Sequence, residues 1–214
     1  MTERFAIYFA PGRDSLLGQR AEAWLAQPEL EALTVSARRY GFHATLKAPM
    51  ALAAGVDRAQ VEMAVAEFAG RNAAVEMELA ARLIDGFLAL TAEPQRQELT
   101  DFAASVVVAL EPLRALLAPA ERARRLRAPL SARQIELLDR YGYPYVLEEF
   151  QFHMTLTDRL AVEQREPMRK RAADWFAEAL AEPVRLDRLV LFHEAEPGAA
   201  FRRLDDFVLK GAAS

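Results

Sequence analysis

The chain contains no cysteine, which excludes disulfides, thiolate nucleophiles and cysteine-ligated zinc and suits a cytoplasmic setting. Long apolar runs are missing as well. The first candidate, Phe5 to Ala10, is stopped by Pro11-Gly12 well short of a signal-peptide or membrane length, so neither a targeting segment nor a membrane partner is expected. A basic excess is also absent: the net charge is −4 over 214 residues, and any polyanion affinity must come from a local patch. No nucleophile-elbow sequence occurs, which sets serine-histidine hydrolysis aside. No Gly/Ser or Pro-rich linker divides the chain. With 52% apolar and 27% charged residues, the expectation is one soluble domain over 1–214, built as two lobes sharing an interface, approximately 1–85 and 86–214, with an exchange of strands between them left open.

Histidine is scarce too, with three in the chain, yet two of them sit in nearly identical strings, Phe42-His43-Ala44-Thr45-Leu46 and Phe152-His153-Met154-Thr155-Leu156. In extended backbone alternate residues share a face. Phe42, Ala44 and Leu46 then enter a core, as do Phe152, Met154 and Leu156, while His43/Thr45 and His153/Thr155 face a cleft or solvent. Lys47 continues the alternation of the first string, and Thr157 is its counterpart in the second. His193, in Leu191-Phe192-His193-Glu194, lacks the frame and reads as an ordinary packed or surface residue.

The element order repeats around these strings. Phe5 to Ala10 reads as a strand, and Leu16, Leu17, Ala21, Trp24 and Leu25 fall at helical spacing behind an Asp14 or Ser15 cap. The first histidine strand runs to Pro49, a helix follows from about Asp57 to Ala69, and Val75 to Ile84 reads as one strand. The second half retraces this: a strand Phe87 to Thr91, a long helical pattern Pro94 to Leu117, the second histidine strand, a helix from roughly Glu166 to Leu180, and strands around Val184 to Phe192 and Phe201 to Leu209. The fold class expected is α+β, a bilobal pseudo-twofold duplication in which two antiparallel sheets form a central groove with helices outside.

Two segments stand apart. Residues 121–134 carry Arg122, Arg124, Arg125, Arg127 and Arg133, either a solvated face, the usual case for a charge run, or an arginine arm over an anionic site. Tyr141-Gly142-Tyr143-Pro144-Tyr145 is a turn whose rings either pack the turn or offer one, Tyr143, to a base or sugar.

Two facing His/Thr pairs suit phosphodiester chemistry. One neutral imidazole takes a proton, the other gives one to the departing oxygen, and Thr45 and Thr155 donate to the non-bridging phosphate oxygens. Lys47 would add an ammonium for the phosphate or a second anionic group. An H-x-T string supplies one ligand per strand, so no metal is expected, and no cofactor.

These strings resemble the two-histidine phosphoesterase superfamily, which includes the LigT-like RNA cyclic phosphodiesterases. More narrowly, Arg39-Tyr40-Gly41-Phe42-His43-Ala44-Thr45-Leu46-Lys47-Ala48-Pro49, Tyr141 to Tyr145 with Phe152 to Thr157, and Phe192 through Pro197-Gly198 to Phe201-Arg202 resemble a bacterial branch named for phosphonate metabolism. The resemblance implies metal-independent cleavage of cyclic phosphodiesters, with His43 and His153 catalytic and Thr45 and Thr155 on phosphate. It implies as substrate a small ribose or nucleotide cyclic phosphate. RNA, with 2′,3′-cyclic or 2′,5′ ends, is the less favoured partner of an acidic chain, and a non-catalytic nucleotide-binding role would need neither imidazole.

Overall fold

The computed structural model describes residues 3–211. The first half runs β1 (Arg4–Phe9), α1 (Leu16–Ala26), α2 (Val35–Tyr40), β2 (Ala44–Met50), α3 (Arg58–Arg71), β3 (Val75–Met77) and β4 (Leu79–Ile84). The second runs β5 (Phe87–Ala92), α4 (Gln97–Ala109), α5 (Pro119–Arg125), α6 (Ala132–Tyr141), β6 (His153–Arg159), α7 (Val162–Phe176), β7 (Val184–Leu186) and β8 (Arg188–Glu194), and β9 (Arg202–Val208) closes the chain. The helices start where their caps dictate. Ser15 accepts from Gly18 N ahead of α1, and Asp57/Gln60 and Ser131/Gln134 form reciprocal capping boxes ahead of α3 and α6, each satisfying amide donors that a first turn leaves open.

One antiparallel sheet has the order β2-β1-β8-β9, a second β4-β5-β6, and β3 pairs with β7. The halves therefore correspond strand by strand. β1 lies between β2 and β8 as β5 lies between β6 and β4, so the first half lends β4 to the sheet of the second and the second half lends β8 to that of the first, with β9 added at its edge. This is the expected α+β pseudo-twofold arrangement of two sheets. The exchange corrects one expectation: residues 75–84 and about 184–192 are not single strands. Each breaks after its third residue, at Glu78 and Asp187, because β3 and β7 pair with one another while β4 and β8 cross to opposite sheets.

The pattern from Pro94 to Leu117 is likewise shorter than it reads. α4 ends at Ala109 and a 3-10 turn spans Glu111–Leu113, since Pro112 has no amide to continue the ladder and disfavours helix in the residue before it. α7 starts four residues earlier than the sequence suggests, at Val162.

The main core joins the halves. Phe9, Leu46, Trp24, Phe152, Leu156 and Phe176 are all buried in one cluster, and Trp24 Nε1 donates to Leu156 O at 3.1 Å, pinning α1 to the second histidine strand. Ser36 N, at the start of α2, donates to the Asp158 carboxylate at the end of that same strand. β2 and β6 are edge strands of their sheets and lie against each other, so the fold carries the two H-x-T strings to the seam between lobes.

Candidate active site

His43 immediately precedes β2 and His153 opens β6. Each ring donates through Nδ1 to the main-chain carbonyl two residues earlier, His43 to Gly41 O and His153 to Gln151 O, both at 2.8 Å. A carbonyl can only accept, so Nδ1 carries a proton in each ring, and Nε2 is the nitrogen turned outward to take or give one. Thr45 Oγ1 lies 3.3 Å from His43 Nε2, and His153 Nε2 has no hydrogen bond to a described residue. The two halves thus hold their imidazoles by the same device.

The surroundings differ. His43 is stacked on Tyr8, ring centroids 3.8 Å apart and 21° from parallel, with Phe192 and Tyr40 further out. Burial lowers its pKa to about 4; the bond to Gly41 opposes the shift, and the charge of His153 adds to it. The charge of His153 is therefore felt at His43. His153 meets the edge of Phe87 at 6.0 Å. Thr45 stands opposite Tyr8 and Thr155 opposite Ala89 in their ladders, both half-buried.

The alternation fails beyond each threonine. In β2, Thr45 pairs with Tyr8 but Lys47 pairs with Ile7, so Leu46 is an extra residue and the bulge turns Lys47 off the His43/Thr45 face. Instead of facing the groove, Lys47 is buried, donating to Val107 O at 3.0 Å and Glu111 Oε2 at 2.7 Å. β6 is irregular at the matching place, between the pairs Ala89/Thr155 and Phe87/Arg159. Thr157 is fully buried there, its hydroxyl accepting from Leu88 N at 3.0 Å where a ladder bond is lost. The expectation that Lys47 and Thr157 contact substrate is corrected on both sides by the same cause.

Tyr143 does stand near the site. Its ring lies under the Arg125 guanidinium at 5.6 Å and meets Tyr145 edge-on, while its charge would reach Tyr8 and Tyr40. The arginines of 121–134 are mostly engaged with carboxylates: Arg122 with Asp139, Arg124 and Arg125 with Glu121, Arg133 with Glu136 and Glu148. His193 points away from His43's face, against Phe5 and Glu3. Among the described residues no three His, Asp or Glu side chains gather as a metal site.

Sequence reasoning missed the wall beside His43. Tyr8, Tyr40, Phe192 and Phe201 form an aromatic surface, and Glu194, with no exposed surface, accepts from Arg4, Arg39 and Gly198 N at its rim. Alternation along Arg4-Phe5-Ala6-Ile7-Tyr8 puts Arg4 and Tyr8 on one face, a signal present in the sequence but without partners until β8 is placed.

A family model described as a protein of unknown function (DUF1045) matches residues 45–202. Two curated relatives are both named ribose 1,5-bisphosphate phosphokinase PhnN. That of Janthinobacterium sp. (strain Marseille) is 41% identical over 92% of this chain and 49% of its own length, and that of Laribacter hongkongensis (strain HLHK9) is 38% identical over 99% and 53%. The chain spans about half the length of the curated relatives it matches. Among solved structures, TT0787 of Thermus thermophilus superposes with a TM-score of 0.53 at 14% identity, covering 98% of this chain and all of that one. Escherichia coli LigT complexed with NADP+ gives 0.48 at 14% identity over 98% and 99%. The resemblance drawn from the H-x-T strings stands at the level of fold.

Proposed function

The chain belongs to the DUF1045 family of proteins of unknown function, and from there we propose that it is a cytoplasmic cyclic phosphodiesterase acting on a small ribose or nucleotide cyclic phosphate without metal or cofactor. The observation that carries this reading is the matched pair of imidazoles, each locked through Nδ1 to the carbonyl two residues before it, on two edge strands that lie against each other.

In the proposed reaction Nε2 of His43, neutral because burial lowers its pKa, takes a proton from water as the water oxygen bonds to phosphorus. The bond from phosphorus to one ribose oxygen breaks, and protonated His153 gives that oxygen its proton, leaving a phosphomonoester. Solvent then returns the proton from His43 to His153. Thr45 and Thr155 donate to the non-bridging oxygens, where charge collects in the transition state. A leaving oxygen tethered to the sugar needs only protonation.

The relatives' printed name supports a ribose phosphate as the sugar, and the resemblance of the H-x-T strings to the branch named for phosphonate metabolism supplies the setting. Its kinase chemistry is not carried over, because the chain has no Gly-Lys-Ser/Thr step with which a phosphate loop would hold a nucleotide. RNA is disfavoured as substrate by the pairing of the 121–134 arginines with carboxylates. No helix among the described residues is long and apolar enough to cross a membrane.

The test is hydrolysis of ribose and nucleoside cyclic phosphates by His43→Ala and His153→Ala. Each is expected to lose about a hundred- to ten-thousandfold in kcat, with chelator without effect on the parent protein. Full activity in both folded variants would end the proposal, and inhibition by EDTA would replace it with a metal mechanism.

A further inference from the structure

The second sheet carries polar side chains outward from His153 along its ladder. Thr91 stands opposite His153, and Ala89 opposite Thr155, where β5 pairs with β6. One strand further, Ala80 stands opposite Thr91 and Arg82 opposite Ala89. Residues directly opposite in an antiparallel pair share a face, so Arg82 and Thr91 lie on the same side of the sheet as His153 and Thr155. Arg82 is two strands from Thr155 in one cross-strand row, about 10 Å between main chains, and only the small Ala89 stands between them.

A cavity of about 480 Å³ opens there, a size usual for small-ligand clefts. It is lined by Gln151, whose carbonyl orients His153, and by Phe152, the residue before that histidine, so it borders the candidate site. Arg82, Thr91 and Glu93 line it as well. Arg82 Nε donates to Glu93 Oε2 at 3.0 Å, and its two terminal nitrogens have no bond to a described residue. Both partners are about half exposed, 48% and 51%, so the groups their pairing leaves unused are open to solvent. Thr91 Oγ1 donates to Ala80 O at 3.4 Å and keeps its lone pairs to accept. Gln95 also lines the cavity, but its amide is spent on Thr100, Phe150 O and Phe152 N. Donors and acceptors are thus mixed, and the charges of Arg82 and Glu93 cancel. Such a set fits neighbouring hydroxyls, each of which both donates and accepts, better than a second phosphate, which would meet the Glu93 carboxylate.

We propose that Arg82, Glu93 and Thr91 form the sugar subsite of the groove, holding the ribose whose oxygen leaves phosphorus on the His153 side. The side rests on the phosphodiesterase reading, in which His153 protonates that oxygen and so stands next to the sugar. The opposite side of phosphorus is then left to the water that His43 activates. The two sheets divide the substrate between them, leaving group on the second and nucleophile on the first. Hydrogen bonds from the guanidinium and the carboxylate to the ribose hydroxyls fix the ring, and with it the direction of the leaving oxygen.

The experiment is calorimetric titration of the full chain with ribose 1-phosphate and with inorganic phosphate, so that the sugar is the difference between the ligands. Ribose 1-phosphate is expected to bind roughly tenfold or more tightly than inorganic phosphate. Arg82→Met should cut that advantage about tenfold, as for a lost hydrogen bond to a charged group, and Glu93→Gln about 3- to 10-fold. Inorganic phosphate should stay within about twofold in both. Exposed ion pairs contribute little to stability, so both variants keep the fold, and a general loss of structure would weaken both ligands alike. Failure of ribose 1-phosphate to bind, equal affinity for the two ligands, an advantage that survives both substitutions, or a loss shared by inorganic phosphate would each overturn the subsite. Since binding is read without turnover, a protein that shows the expected pattern yet cleaves no cyclic phosphate would refute only the proposed reaction. One that cleaves cyclic phosphates without the pattern would refute only the subsite.

Discussion

The imidazole of His43 lies flat on the phenol of Tyr8, ring centroids 3.8 Å apart. The stacked ring is part of the burial that takes the His43 pKa down to about 4 from an ordinary 6.5, and the direction fixes the consequence for stability. Between those two values the unfolded chain binds more protons than the folded one, so the contribution of His43 is fully present above pH 6.5 and is lost as pH falls toward 4. NMR titration should show His43 neutral at pH 5.5 in the parent protein and titrating closer to 6.5 in Tyr8→Leu, where the covering ring is gone. Titration of native His43 near 6.5 would show that burial under Tyr8 does not set its pKa.

The two threonines are predicted to matter unequally. Thr45 Oγ1 already lies 3.3 Å from His43 Nε2, whereas Thr155 makes no such contact with His153. Thr155→Val should lower kcat roughly tenfold or more by removing one donor to the non-bridging oxygen. Thr45→Val should do the same and also shift the acid limb of the kcat/KM profile, because the hydroxyl touches the imidazole. Equal pH profiles for the two variants would show that the Thr45 contact has no bearing on the base.

Lys47 is expected to be structural. Its ammonium is buried with the Glu111 carboxylate, and burial pulls the lysine pKa down even as Glu111 resists. Breaking a buried pair from one side costs about 3–5 kcal/mol, while replacing the charge with a well-packed apolar side chain is often neutral or stabilising. Glu111→Ala should therefore destabilise strongly in chemical denaturation, with Arg114 losing the same carboxylate, and Lys47→Met should cost less than Glu111→Ala and leave KM within about threefold. A tenfold rise in KM for a well-folded Lys47→Met would return the lysine to the groove.

How far the sequence can be read follows from the range of each rule. Side-chain alternation and helix caps are local, and they locate both H-x-T strings, the start of α1 behind Asp14 or Ser15, the start of α3 near Asp57 and the repeated element order. Bulges are decided by the partner strand. Nothing in Leu46-Lys47 announces that Ile7 will stand opposite Lys47 and leave Leu46 over, so simple alternation puts Lys47 on the wrong face, and Thr157 with it. The exchange of β4 and β8 between sheets is likewise a pairing fact, invisible in the runs Val75 to Ile84 and Val184 to Phe192. The aromatic wall of Tyr8 and Tyr40 depends on long-range neighbours for the same reason.

Gly41 gives the most local prediction. It holds φ +75° and ψ 168°, a combination essentially restricted to glycine, and its carbonyl is the acceptor that orients His43. A Cβ would have room, its nearest neighbour being the Phe192 ring at 3.5 Å, so the obstacle is backbone conformation and not packing. Gly41→Ala should cost about 1–3 kcal/mol in stability and, by turning the carbonyl, release the His43 ring from its single tautomer. In kinetic terms the loss should fall on kcat with KM little changed, since the carbonyl itself touches no substrate in the proposed reaction. The companion change Gln151→Ala keeps its carbonyl and removes only an exposed side chain, so it should leave both constants unchanged. If Gly41→Ala were equally silent, the shared Nδ1 device would be incidental to the chemistry of the two halves.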